Sequence, residues 1–204
     1  VEPLPPDPSA PEPAAASPSR TPDLVPAGPF GELPAAAAIP AGCTFAARFA
    51  AAAMGFLDQG SLRTSRGRRG LSCTGLVQAC FDVLGCGERP RGSSRDLWAW
   101  CEARRLLVDR PVPGDLAFFD DTWDRDGEPG TRDPLTHVAV VVEVGGPGEV
   151  RFVHVGSRKV KAGTLDSPVR ARRSRDTPGT RYLGRELLRG YCRPRPCGAF
   201  TTPD

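Results

Sequence analysis

The stretch Thr136-His137-Val138-Ala139-Val140-Val141-Val142-Glu143-Val144, then Gly145-Gly146-Pro147-Gly148, then Glu149-Val150-Arg151-Phe152-Val153-His154-Val155, decides the fold. Its first run is apolar at odd and even positions alike, which predicts a central strand buried on both faces. The Gly/Pro cluster predicts a turn, and residues 150–155 predict a strand that pairs back. Leu116-Ala117-Phe118-Phe119, led in by Gly114-Asp115, predicts a short strand ahead of the polar loop 120–134. Upstream the period becomes helical. Phe45, Phe49, Ala52, Ala53 and Phe56 predict a helix within residues 43–57, stopped by Gly60. Residues 72–85 predict a second, capped by Ser72 and closed by Gly85, with Leu76, Val77, Cys80, Phe81 and Leu84 as its apolar stripe. A third is predicted over 93–105, with Leu97, Trp98 and Cys101 inward. Helices first and a meander after predict an α+β domain, helices packed on a small antiparallel sheet.

The rest of the chain bounds the function. The 204 residues make one domain with chain to spare, and no run approaches the roughly 20 apolar residues of a membrane-spanning helix. Residues 1–40 hold 12 of the 23 prolines and many alanines, and read as an extended tether before a domain at 41–204. The tether carries Glu2, Asp7, Glu12, Asp23 and Glu32 against Arg20, a net −4, so with +3 for the whole chain the domain carries +7. Such a charge suits polyanionic surroundings, although arginine in place of lysine is also a matter of composition, with Lys159 and Lys161 the only lysines. Residues 63–70 read as a basic loop. Residues 157–204 are arginine-rich and weakly patterned. A short helix is expected near 183–189, and Arg170, Arg172, Arg173 and Arg175 form either a solvated face or a patch for wall polymers. The chain opens at Val1 without methionine, so a secretory or a lipoprotein signal is expected upstream, the second of which would tether the protein to a membrane.

The histidines number two, His137 and His154, both on the predicted hairpin. Cys73 falls at the start of a predicted helix, where backbone N–H groups and the helix dipole stabilise a thiolate and can donate to an oxyanion. A neighbouring imidazole completes a thiolate–imidazolium pair, and a second polar group fixes its tautomer. Register decides whether the histidines meet. A four-residue loop, 145–148, makes paired numbers sum to 293 and leaves His154 the diagonal neighbour of His137, about 7–8 Å away on the same face. A two-residue loop sets them directly opposite. An odd loop without a bulge sends them to opposite faces, so the pairing requires an even register or a compensating bulge.

Four segments resemble one family. Ser72-Cys73-Thr74-Gly75-Leu76-Val77 is similar to the Asp-Cys-Ser-Gly-Leu-Val signature of the NlpC/P60 cell-wall peptidases. Pro113-Gly114-Asp115-Leu116-Ala117-Phe118-Phe119 resembles their Pro-Gly-Asp-Leu-Val-Phe-Phe segment, Thr136-His137-Val138-Ala139-Val140 their His-Val-Gly-Ile strand, and Phe152-Val153-His154 their Phe-Ile-His. The resemblance implies a papain-like α+β fold and hydrolysis of an amide bond in peptidoglycan stem peptides, in the bacterial periplasm or outside the cell. It implies Cys73 as nucleophile, His137 as general base and His154 as the residue that orients it, with Ser72, Cys73 and Thr74 at the oxyanion-binding helix tip. Ser72 and Thr74 replace the usual aspartate and serine, and residues 64–70 replace the family's Tyr-x-Trp-Gly-Gly segment. The long loop 120–134 is closer to the related CHAP-type amidases. It is expected to line the cleft with Trp123, Asp124 and Arg132.

This chemistry calls for no metal or organic cofactor, and Cys73, His137 and His154 lack a fourth ligand for zinc. The expected partner is the stem peptide, not nucleic acid, and the expected state is a monomer. Asp115 is read as holding a turn. Seven cysteines less Cys73 leave six, enough for three disulfides in an exported protein, with Cys192–Cys197 close enough for a local loop and a buried Cys80 thiol as the competing reading. Two other functions fit the same residues: a degenerate wall-binding module, and an antibacterial toxin with the same amidase chemistry.

Overall fold

The computed structural model describes residues 43–64, 66–87, 89–123, 125, 132–146, 149–156, 158–165 and 187–196. The tether, Asp124 and the Arg170–Arg175 cluster lie outside the described residues. Among the described residues three helices, α1 (Phe45–Met54), α2 (Cys73–Val83) and α3 (Ser94–Ala103), accompany eight strands: β1 (Leu62–Thr64), β2 (Gly67–Arg69), β3 (Leu107–Val108), β4 (Leu116–Phe119), β5 (His137–Val144), β6 (Val150–Val155), β7 (Val160–Leu165) and β8 (Leu188–Cys192). The α+β expectation holds. Strands β1 and β2 form a separate hairpin, and the other six make one antiparallel sheet in the order β3-β8-β4-β5-β6-β7.

Side chains on both faces of this sheet are buried, as the unbroken apolar run of β5 required. On one face Val138, Val140, Leu116, Phe118 and Val153 pack with Phe49, Leu76, Phe81 and Leu97 of the helices. On the other, Ala139, Val141, Ala117, Phe119 and Phe152 pack with Leu165 and Tyr191. Phe81 anchors the helix layer, its ring 4.9 Å from Phe49 and 6.3 Å from Phe45 and from Trp100.

Several expectations need correction. Helix α1 ends at Met54, well before Gly60. Phe56 and Leu57 donate to the carbonyls of Ala53 and Met54, three residues back, so the helix tightens into a turn. The basic segment expected as a loop is the β1–β2 hairpin, because Arg69 and Arg89 close on the fully buried Asp82 carboxylate at 2.7 and 2.5 Å and Thr64 joins them at 3.3 Å. Strand β8 takes the place of a helix near residue 189: the alternation of Leu188 to Cys192 fills the gap between β3 and β4. Strand β7 lies in sequence that looked unpatterned. Asp115 does hold a turn, its carboxylate buried, accepting from Val112 N–H at 2.8 Å and from Arg193 at 3.0 Å through both oxygens. That carboxylate raises the Arg193 guanidinium still further above its ordinary value.

The cysteines also differ from expectation. Cys101 of α3 is bonded to Cys192 of β8, so the local Cys192–Cys197 loop does not form. Cys43, Cys73 and Cys80 are thiols, which leaves room for two disulfides at most instead of three. Cys80 is wholly buried on the apolar stripe of α2, and burial pushes its thiol far above the ordinary range. A disulfide with both halves buried is consistent with folding in an oxidising, extracytoplasmic compartment. No helix among the described residues is long and apolar enough to cross a membrane.

Candidate active site

The hairpin resolves the register question with a compensating bulge and not with an even loop. Val144 pairs with Val150, so residues 145–149 make an odd, five-residue connection. A bulge between Val141 and Glu143 adds one residue to β5, and below it Val141 pairs with Phe152 and Val140 with Val153. Without the bulge the histidines would point to opposite faces. With it they share a face, and Nε2 of His137 lies 3.2 Å from Nδ1 of His154. Their rings meet edge-on at 5.3 Å. Phe119 stands 6.3 Å from the His137 ring and Phe152 stands 5.6 Å from the His154 ring, so aromatic groups flank the pair. His137 is 1% exposed with Nδ1 buried, while His154 is half-buried.

Cys73 is the first residue of α2 and half-buried. Ser72 caps the helix in an extended conformation, its hydroxyl accepting from Gly75 N–H at 3.0 Å. That satisfies one of the orphan donors of the first turn. Gly75 lets the incoming chain pass close: a Cβ there would lie 2.1 Å from the Gly70 carbonyl oxygen. Thr74 is half-buried, its hydroxyl 3.5 Å from that of Ser72.

The packing of α1 fixes which way this tip points. Phe45, at the start of α1, packs on Phe81 near the end of α2, so the two helices run antiparallel. The residues after α1 are tied to the start of β7, with Asp58 N–H donating to Val160 C=O and Val160 N–H to Gln59 C=O, each at 3.0 Å. His154 pairs with Lys161 in that same part of β7. The N-terminal tip of α2 therefore lies towards the end of the sheet that carries His137 and His154, and α2 packs on both of their strands. The histidines share the sheet face of Phe119 and Phe152, opposite the helix layer.

The loop entering His137 is braced by residues that sequence reasoning passed over. Leu135 holds a left-handed conformation at φ 54°, a strained state for a bulky side chain. Its N–H donates to Asp120 at 2.8 Å, and its carbonyl accepts from Ser94 Oγ and, at 3.0 Å, from Arg125. Asp133 N–H donates to Asp121, and the Thr136 hydroxyl accepts from Thr122 N–H at 2.9 Å. Three acids bracketing the loop were the available signal. Trp123 is 45% exposed, and its indole N–H donates to the carbonyl of Thr136 at 3.1 Å, one residue before His137. Arg125 covers that ring at 5.6 Å. Arg132 is exposed and lies 3.7 Å from Asp121. Asp124 is not among the described residues. No cluster of metal ligands occurs among the described residues.

Set against models of known families, against curated proteins and against solved structures, the chain matches none.

Proposed function

We propose that this protein is a papain-like cysteine hydrolase that cuts an amide bond in the stem peptide of peptidoglycan, working in the bacterial cell envelope. The observation that carries the reading is the His137–His154 hydrogen bond at 3.2 Å, set at the end of the sheet towards which the capped tip of α2 points. In this reading His154 engages Nε2 of His137 and Nδ1 exchanges a proton with the thiol. For His154 Nδ1 to accept, His154 is neutral with its proton on Nε2, while His137 carries a proton on Nε2.

In this reaction the Cys73 thiol gives its proton to Nδ1 of His137 and the thiolate attacks the amide carbonyl. The new S–C bond moves the carbonyl electron pair onto oxygen, where N–H groups of the first turn of α2 stabilise it. As that pair returns, the C–N bond breaks, and the leaving nitrogen takes the proton from His137. A water then gives a proton to His137 and attacks the thioester. The carboxylic acid departs, and the proton returns to Cys73. Sulfur, imidazole and backbone amides supply every step.

The resemblance to NlpC/P60 and CHAP enzymes supports the substrate class, and the net positive charge of the domain suits an anionic wall. Purified protein and a Cys73→Ala variant incubated with sacculi provide the test. Release of soluble muropeptides by the first and not the second supports the reading, and their masses tell a cut within the stem from removal of the whole stem. Binding by both without release would assign the protein to wall attachment instead.

A further inference from the structure

We propose that Lys161 sets the specificity of this candidate site, its ammonium receiving a carboxylate of the substrate beside the scissile bond. The substrate class rests on the hydrolase reading above; the position of the cation rests on backbone register. His154 and Lys161 are direct partners in the β6–β7 ladder, and residues directly opposite project from one face of a sheet. The lysine therefore shares the face of the histidine pair.

Gly156 gives the side chain its course. A Cβ at this glycine would lie 3.1 Å from both Cδ and Cε of Lys161, so the lysine stem lies across the space a side chain would have taken. Carried on from Val140–Val153, the β5–β6 register sets Gly156 across from His137. The stem thus runs from its partner His154 towards the rim at which His137 stands. Strand β7 is the edge of the six-stranded sheet, so Lys161 forms the outer border of the site on this side.

The charge is available. Of the two lysines, Lys159 is paired with Asp58, whereas Lys161 is exposed and has no ion pair among the described residues. An ammonium on a flexible stem is a compact cation with three donors, suited to a carboxylate presented from varied angles. Stem peptides carry such carboxylates, and many become amides when modified. Lys161 would then distinguish the free acid from the amide at the position next to the cut.

The test titrates the full chain carrying Cys73→Ala, which binds without turnover, with a muramoyl peptide bearing free carboxylates and with the same peptide fully amidated. The acid form is expected to bind about fivefold more tightly, a difference that shrinks as salt is raised. Adding Lys161→Gln is expected to level the two, and Lys161→Glu to reverse them. Equal binding of acid and amide, no binding of either, or a preference that survives Lys161→Gln overturns the proposal. Turnover by the unmodified chain is followed in parallel. Hydrolysis with acid and amide bound alike removes the carboxylate site and keeps the hydrolase. An acid preference lost with Lys161→Gln but without hydrolysis keeps the site and removes the hydrolase.

Discussion

His137 and His154 are joined through Nε2 and Nδ1 at 3.2 Å, and an extra residue in β5 is what allows it. The five-residue connection 145–149 on its own would set the two rings on opposite faces. The bulge beside Val142 reverses that, so a local irregularity in one strand determines the polar geometry at its far end. Bulges near active sites commonly re-aim a side chain in this way.

The first prediction concerns what His154 does. In the proposed mechanism it holds the tautomer and plane of His137, so His154→Ala is expected to lower kcat about a hundredfold with little change in KM. His154→Asn, which restores an acceptor, is expected to recover part of the loss. Steady-state kinetics on a soluble muropeptide read both. Equal losses for the two variants would point to packing alone.

The helix tip gives the second. Gly75→Ala sets a methyl group 2.1 Å from the Gly70 carbonyl oxygen in the starting geometry, so the chain entering Cys73 must move. Urea denaturation is expected to show a loss of about 1–3 kcal/mol, as for an overpacked site. Ser72→Ala removes the acceptor for Gly75 N–H and is expected to cost about 1 kcal/mol. Activity should fall further in the glycine variant, because the oxyanion donors move with the backbone.

A third follows from Cys101–Cys192, which closes 91 residues of sequence and ties α3 to the strand between β3 and β4. Replacing both by alanine is expected to lower stability by about 2–4 kcal/mol. Thermal melting of the variant, with the unmodified chain under reducing conditions as comparison, checks this.

The fourth is a pH dependence. The Ser93 hydroxyl and backbone N–H hold the Asp96 carboxyl below the ordinary range in the capping box that opens α3. A lowered carboxylate contributes stability that is present above its unfolded value, near roughly pH 4, and is lost as pH falls through the folded value. Asp96→Asn is therefore expected to melt below the unmodified chain at pH 7. The gap should narrow below about pH 4.

Much of this was legible because local rules and burial agreed. The Ser72 cap, the α2 stripe from Leu76 to Phe81 and the two-faced apolar run of β5 all point one way at every level. Strand β7 escaped because Lys161, Ala162, Gly163 and Thr164 lack an apolar face; the strand exists because β6 needs a partner and Gly163 leaves space for the ring of Phe152. The disulfide was unreadable for a similar reason, since the partner of Cys192 lies across the fold and not along the chain. Of the candidate site, the two histidines, which the structure joins, and Cys73, which it places at the tip of α2, could be named from sequence. The bulge could be stated only as a condition, and the brace on Leu135 depends on Ser94, which is 41 residues away.

The most direct measurement is the rate at which Cys73 reacts with iodoacetamide at pH 6, read by peptide mapping in the unmodified chain and in His137→Ala. A thiolate–imidazolium pair predicts rapid alkylation of Cys73, slowed about a hundredfold by the substitution, with the buried Cys80 unmodified in both. Slow alkylation of Cys73 at the same rate in the two proteins would contradict the account.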